Sequence, residues 1–321
     1  MKMLIKKILL PVLFIPACFN TNAQTNGRDF TAIDAYVKSL GPLDSMSMGT
    51  INNVVSNKFT DKMDKARAIY YWIAHHITYD IKAARANNTA KNSPAEVLLY
   101  RRAVGIGFAS LFQDMCSSAD IRCLTVDGFV KNSVEQIKEK GAEINHSWAV
   151  VQLGQSPETW FYVDPAWGSG FADPEMKVFT KSYTDAYFFT DKANFNLQHF
   201  PDNEAWKLGP APKGKKDFFE NPVIRVAALE FDMKKYTPNN GNLKVKANKA
   251  VNFSYTLNNK EEITKVELGI GEKKKYKVKE VPFSFSKGAL SFSYKFEDEN
   301  SYPVTVLING KELMFYYVEV E

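Results

Sequence analysis

Two side chains in this 321-residue chain have the types and spacing for proton transfer. His146 stands in Asn145-His146-Ser147-Trp148-Ala149-Val150-Val151, and Asp164 in Trp160-Phe161-Tyr162-Val163-Asp164-Pro165-Ala166-Trp167. Gly154-Gln155-Ser156-Pro157-Glu158 between them is turn-rich, so 147–153 and 159–163 read as neighbouring strands of a hairpin. An imidazole on one strand can then meet a carboxylate on the next, which fixes the tautomer and orientation of the base. Such a pair activates a thiol best where that thiol opens a helix, because the helix dipole and free N–H groups favour the thiolate. None of the three cysteines, Cys18, Cys116 and Cys123, is placed that way. The run 105–115 reads as a buried central helix with Gly105 and Gly107 at its start, and Cys116 lies beyond its far end. At 1.5 Å per residue that is on the order of 16 Å from the helix start, too far for bond formation. Cys123 begins the following strand, and Ser110 is more than a turn inside the helix.

The elements that must position this pair follow from patterning. Residues 29–40 carry Phe30, Ile33, Tyr36, Val37 and Leu40 at helical spacing, and Gly41-Pro42 stops them. A stronger helix opens at Thr60-Asp61, either of which can cap it. Its apolar stripe is Ala66, Ile69, Tyr70, Ile73 and Ile77, with Lys62, Asp64, Lys65 and Arg67 expected toward solvent. Residues 82–94 read as a loop, Ser93-Pro94 with Glu96 as a helix start, and 122–130 as a strand. Gly209-Pro210-Ala211-Pro212-Lys213-Gly214-Lys215-Lys216 reads as a linker. Beyond it strand-like pieces recur at 226–231, 243–247, 250–257, 265–270, 276–281, 289–294, 302–308 and 311–320, separated by turns such as Asn239-Asn240-Gly241 and Asn309-Gly310. That rhythm predicts an immunoglobulin-like β-sandwich over 221–321, a region without Cys or His.

The order of these motifs resembles the transglutaminase-like (papain-like) superfamily, whose core is a nucleophilic Cys opening a helix, a His on one strand and an Asp on the next. Val104-Gly105-Ile106-Gly107-Phe108-Ala109 falls on the family's Val-Cys-x-Gly-Tyr-Ala, so Gly105 occupies the place of the nucleophile, and His146 and Asp164 match the base and its orienting acid. Arg67-Ala68-Ile69-Tyr70-Tyr71-Trp72-Ile73, Ile77-Thr78-Tyr79-Asp80, Tyr187-Phe188-Phe189-Thr190-Asp191, His199-Phe200-Pro201-Asp202 and Trp206-Lys207-Leu208 resemble segments of its kyphoscoliosis-peptidase-like members. The resemblance covers roughly residues 61–208. It implies an α+β fold with a transglutaminase-like domain at 24–208 that includes the helical lead-in, to which composition and strand rhythm add a linker at 209–220 and the sandwich at 221–321. It also implies an enzyme scaffold that lacks its thiol. His146 and Asp164 then serve as a structural pair, as the polar handle of a ligand pocket walled by Trp148 and Trp167, or as a base acting on bound water. The expected function is a catalytically inactive module that binds or scaffolds peptide, protein or cell-wall material. The alternatives are a working amidase, peptidase or transglutaminase-type enzyme with a non-standard nucleophile, and a purely structural assembly protein.

The N-terminus points to export. Lys2, Lys6 and Lys7 precede an apolar core at 8–18, and Asn22-Ala23-Gln24 offers a cleavage site after Ala23, so 1–23 reads as a signal peptide leading to the periplasm or cell surface. Ile15-Pro16-Ala17-Cys18 loosely resembles a lipobox, which would tether the chain to a membrane through Cys18. The formal charge of +5 shrinks once those three lysines are set aside, leaving about +4 after residue 211 and −2 before it. Neither part carries the basic excess of a nucleic-acid binder. The run Lys273-Lys274-Lys275 with Lys277 and Lys279 reads as a solvated strand or hairpin. Cys116 and Cys123 form either a disulfide or two buried thiols. His75, His76 and His199 read as surface or packing residues, and no spacing implies a metal or cofactor.

Overall fold

The computed structural model describes residues 27–139, 141–173, 175–258, 261–272 and 275–321. The expected signal peptide and cleavage site, Cys18 and two lysines of the basic run, Lys273 and Lys274, lie outside the described residues.

Helices come first: α1 (Thr31–Leu40), α2 (Met48–Ser56) and α3 (Lys62–His76), then α4 (Ile81–Arg85), α5 (Pro94–Tyr100) and α6 (Gly105–Ser118). Asp61 caps α3 by accepting from the N–H groups of Met63 and Asp64. The expected apolar stripe is buried, but Arg67 is buried with it, at 2% exposure. Its guanidinium meets Asp34 of α1 in two parallel bonds, Nε to Oδ1 at 2.9 Å and an Nη to Oδ2 at 2.6 Å. This fork pairing offsets desolvation and overturns the solvent-facing expectation for that residue. Short strands β1 (Thr78–Tyr79) and β2 (Arg102–Ala103) pair in parallel just before α6.

Helix α6 is the buried axis of this region. It packs on an antiparallel sheet of β3 (Arg122–Val130), β4 (His146–Gln152), β5 (Trp160–Val163) and β8 (His199–Pro201), in the order β5-β4-β3-β8. A small hairpin, β6 (Gly170–Ala172) with β7 (Phe179–Lys181), follows α7 (Pro165–Ser169), and α8 (Lys192–Gln198) leads directly into β8. The hydrophobic core joins α3 and α6 to the inner face of the sheet through Ile69, Tyr70, Ile73, Phe108, Leu111, Phe112, Ala149 and Val151.

The linker expected from composition holds a helix, α9 (Lys215–Glu220). Phe218 and Phe219 bury themselves against Phe129 and Phe200, so two aromatic residues override the flexible Gly-Pro-Lys flank. A two-residue strand β9 (Val223–Ile224) and a helix α10 (Val226–Glu230) come next. The expected strand at 226–231 is therefore mostly helix, because Ala227, Ala228, Leu229 and Glu230 are strong helix formers.

The rest is an all-β, immunoglobulin-like sandwich. One sheet runs β10-β12-β16-β15, built from β10 (Met233–Thr237), β12 (Ala250–Leu257), β15 (Phe283–Ser286) and β16 (Ala289–Lys295). The other runs β11-β18-β17-β13-β14, with β9 added on β18, from β11 (Asn242–Val245), β13 (Val266–Ile270), β14 (Lys277–Glu280), β17 (Ser301–Ile308) and β18 (Lys311–Val320). Period-two alternation in β12 places Phe253, Tyr255 and Leu257 inward, against Val304, Val306, Tyr316 and Val318 of the facing sheet. Patterning had not shown β10 or β15, whose polar alternate positions hide a strand of four or five residues.

Candidate active site

His146 opens β4, where it lies opposite Gly128 of β3. Asp164 follows β5, which pairs with the other edge of β4, and it is also the N-cap of α7. The hairpin thus delivers imidazole and carboxylate to one point: His146 Nε2 sits 2.7 Å from Asp164 Oδ2. The other carboxylate oxygen accepts the N–H groups of Ala166 and Trp167, each at 3.0 Å. A carboxylate fixed by the first turn of a helix cannot swing away from its histidine.

A third partner was not expected. His199, read from sequence as a surface or packing residue, is wholly buried and places its Nε2 3.0 Å from the same Asp164 Oδ2. Strand β8 brings it there by pairing with the end of β3, Gly128 facing Pro201 and Val130 facing His199. The motif His199-Phe200-Pro201 was visible, but a three-residue edge strand has too short a period to reveal which way its histidine faces. The donor atoms of His146, Asp164 and His199 lie within 4.8 Å of one another, a proximity that linear spacing did not show. As they stand, both imidazole nitrogens already share one carboxylate oxygen through hydrogen bonds.

The electrostatics follow from that sharing. Burial works against a charged Asp164, but the facing His146 and the hydrogen bonds from both histidines outweigh it and hold the carboxyl well below its usual range. Burial pushes His199 down to about 4, against the pull of Asp164. His199 is thus neutral at neutral pH and donates Nε2–H.

Gly105 is the first residue of α6, and its missing side chain points at the base. A Cβ built on it would lie 2.8 Å from His146 Nδ1, 3.1 Å from His146 Cε1 and 3.3 Å from the Ser147 nitrogen. Optimal non-bonded contacts to carbon are about 3.5–4.0 Å. The imidazole therefore fills the space in front of the helix start, and no open cleft separates the two. Val104, the N-cap of α6, supplies no side-chain hydrogen bond to the helix.

The tryptophans divide. Trp167 on α7 is half-buried, its ring 5.5 Å from that of His146 and 4.6 Å from that of His199. Trp148, expected as a second pocket wall, is wholly buried, packed with Val126, Phe195 and Tyr162 behind the site. Strand β4 is buried along its whole length, so Trp148, two residues from His146 and on the same face, joins a second core instead of a cleft. Cys116 and Cys123 are both buried free thiols, and burial raises the Cys116 pKa further. Cys123 pairs with Val151, at the far end of β4 from His146, so neither thiol reaches the imidazole. Ser110 donates to the Ile106 carbonyl at 2.6 Å and stays within its own helix.

A buried helix whose first residue faces a histidine–aspartate pair on an antiparallel sheet is the core of a transglutaminase-like domain. A family model described as the transglutaminase-like superfamily matches residues 49–165, the part of the chain that holds α3, α6 and the His146–Asp164 pair. The relatives this chain is similar to support the kyphoscoliosis-peptidase-like subgroup. The chain is 34% identical over 198 residues to the kyphoscoliosis peptidase of Homo sapiens, covering 60% of this chain and 29% of that protein. With the kyphoscoliosis peptidase of Mus musculus it shares 31% over 225 residues, 66% of this chain and 34% of the relative. With hillarin of Drosophila melanogaster it shares 23% over 230 residues, 67% of this chain and 27% of the relative. The chain thus spans about a third of the length of the curated relatives it matches.

Proposed function

We propose that this protein is a catalytically inactive transglutaminase-like module that binds peptide or protein, cell-wall peptides included, without cleaving it. The observation that carries this reading is the juxtaposition at the helix start. A base held by its acid faces backbone at Gly105, where a side chain would be needed to attack a carbonyl. Cys116 and Cys123 are buried away from the pair, Ser110 is bonded within its own helix, and the Ser147 hydroxyl, next to the base, donates to Asp127 at 2.6 Å. Half-buried Trp167, lying against both histidines, supplies an apolar surface beside the pair for a bound chain. The reading includes export to the periplasm or cell surface, supported by the basic start and apolar core of residues 1–23.

Incubation of the purified protein with a mixed peptide library, followed by mass spectrometry, tests the inactive state. No cleavage, deamidation or cross-linking is expected from the wild type. Turnover that disappears in His146→Ala would overturn the reading.

A further inference from the structure

A cavity of about 540 Å³ opens just ahead of α6, floored by Ala103 and Val104. That volume is within the usual range of ligand sites. Lys82, Lys91 and Arg102 line it, against one carboxylate, Asp80. The Asp80 Oδ1 is already engaged, accepting the Ala83 N–H at 3.0 Å to cap α4. None of the three cations has a carboxylate partner among the described residues, although surface lysines and arginines elsewhere in the chain pair freely, as Arg28 does with Asp64 and Lys207 with Glu204. Three unpaired cations around one concavity create a local positive field far above what the near-neutral chain would give.

Two further features narrow the occupant. Buried Asn92 lines the cavity and uses its Oδ1 to accept the Val104 N–H at 2.9 Å, pinning the strand-to-helix turn as one wall. Val104, the N-cap of the 14-residue α6, lines the cavity and gives the helix no side-chain cap, so the helix dipole adds to the positive field there. The remaining lining is Asn88, the small apolar Ala83 and Ala86, and the ring of Tyr100, over which Lys91 Nζ lies 4.8 Å from the centroid. Charge for an anion together with apolar walls for its stem suits a carboxylate on a peptide better than a bare inorganic anion.

We infer that this cavity is the recognition pocket for an acidic peptide, seating a carboxylate between Lys82, Lys91 and Arg102 next to the Gly105 end of α6. This deepens the binding-module reading and rests on it.

Fluorescence anisotropy with a rhodamine-labelled Ala-Glu-Ala-Glu-Ala peptide and its Ala-Gln-Ala-Gln-Ala counterpart, each as free acid and C-terminal amide, supplies the test. The Glu peptide is expected to bind at least tenfold more tightly than the Gln peptide, or the free acid than the amide if the chain terminus is the recognised carboxylate. Raising salt and the double change Lys82→Gln with Arg102→Gln should each weaken binding at least tenfold, and thermal melts of the variant should match wild type because these side chains anchor nothing else. Equal binding of all four peptides, no binding, or binding indifferent to the double change overturns the assignment. The same samples are followed for cleavage: cleavage sinks the inactive reading whatever the affinities, whereas failure to bind without cleavage sinks only the pocket.

Discussion

At Asp164 both carboxylate oxygens are committed, one to two helix N–H groups and one to two imidazoles. That arrangement makes His199 as much a member of the site as His146, and it sets a pH response. Between about 4, where burial holds His199, and the ordinary histidine value of about 6.5, the unfolded chain takes up a proton that the folded chain refuses. Stability therefore falls as pH drops through this window, by on the order of 3 kcal/mol from His199. His75 and His76, also lowered by burial, add in the same direction. The contribution of Asp164, whose carboxyl is held below its usual range, is present above about 4 and is lost only as pH falls further. Urea denaturation at pH 7.5 and pH 5 should show a lower midpoint at pH 5. His199→Gln should lower the midpoint at pH 7.5 and shrink the difference between the two pH values; a difference as large as in wild type would refute the assignment. The sequence made His146 and Asp164 legible because β4 is a seven-residue strand and a recognisable turn joins it to β5. It hid His199 in a strand of three residues, and it offered Trp148 as a binding surface because an aromatic beside a catalytic residue reads alike in a pocket and in a core.

Short elements at the junction of the two regions hold most of what sequence reading misplaced. Helix α9 formed where composition suggested a tether, and α10 formed where β-branched and aromatic ends, Val226 and Phe231, suggested a strand. What pins this segment is Lys131, buried at the end of β3. Its Nζ donates to the carbonyls of Phe218 at 2.6 Å and Pro222 at 3.2 Å, and to that of Asn221. Burial pushes this lysine down to about 7, while three carbonyls complete the shell that water would otherwise supply. Lys131→Met keeps the stem's volume and removes the donors, leaving those carbonyls buried without them. The expected loss is on the order of 2–4 kcal/mol, measured as a shift in the denaturation midpoint, with earlier proteolysis between α9 and β9. A neutral outcome would show that the carbonyls are satisfied by solvent. The long elements, α3, α6, β3, β4 and the sandwich strands with clean alternation, were readable because many residues repeat one pattern. These junction pieces are too brief to carry a period, and tertiary burial decides them.

The two regions are joined by more than their chain connection. Val134 and Ile137, from the loop between β3 and β4, pack with Val223, Phe315 and Tyr317 of the sandwich side. Leu229 of α10 enters the cluster built around Trp148 and Phe195. Gln198 donates to the Ile224 carbonyl at 3.3 Å and Asn194 to Asp232 at 3.2 Å, so the sandwich side braces α8, the helix that feeds His199 into the site. Removing residues 221–321 should therefore lower the melting temperature of the remaining transglutaminase-like region and raise amide exchange over 192–201. An unchanged melt and unchanged exchange would mean that the sandwich is a passenger.

The closeness of His146 to the bare first residue of α6 has a consequence for engineering. A single codon change that installed sulfur at position 105 would place its Cβ 2.8 Å from His146 Nδ1, so the imidazole must shift to admit it. That shift works against the 2.7 Å hydrogen bond that ties the ring to Asp164. A thiol engineered at this position therefore reports, by how readily it reacts, how firmly the fold clamps the ring.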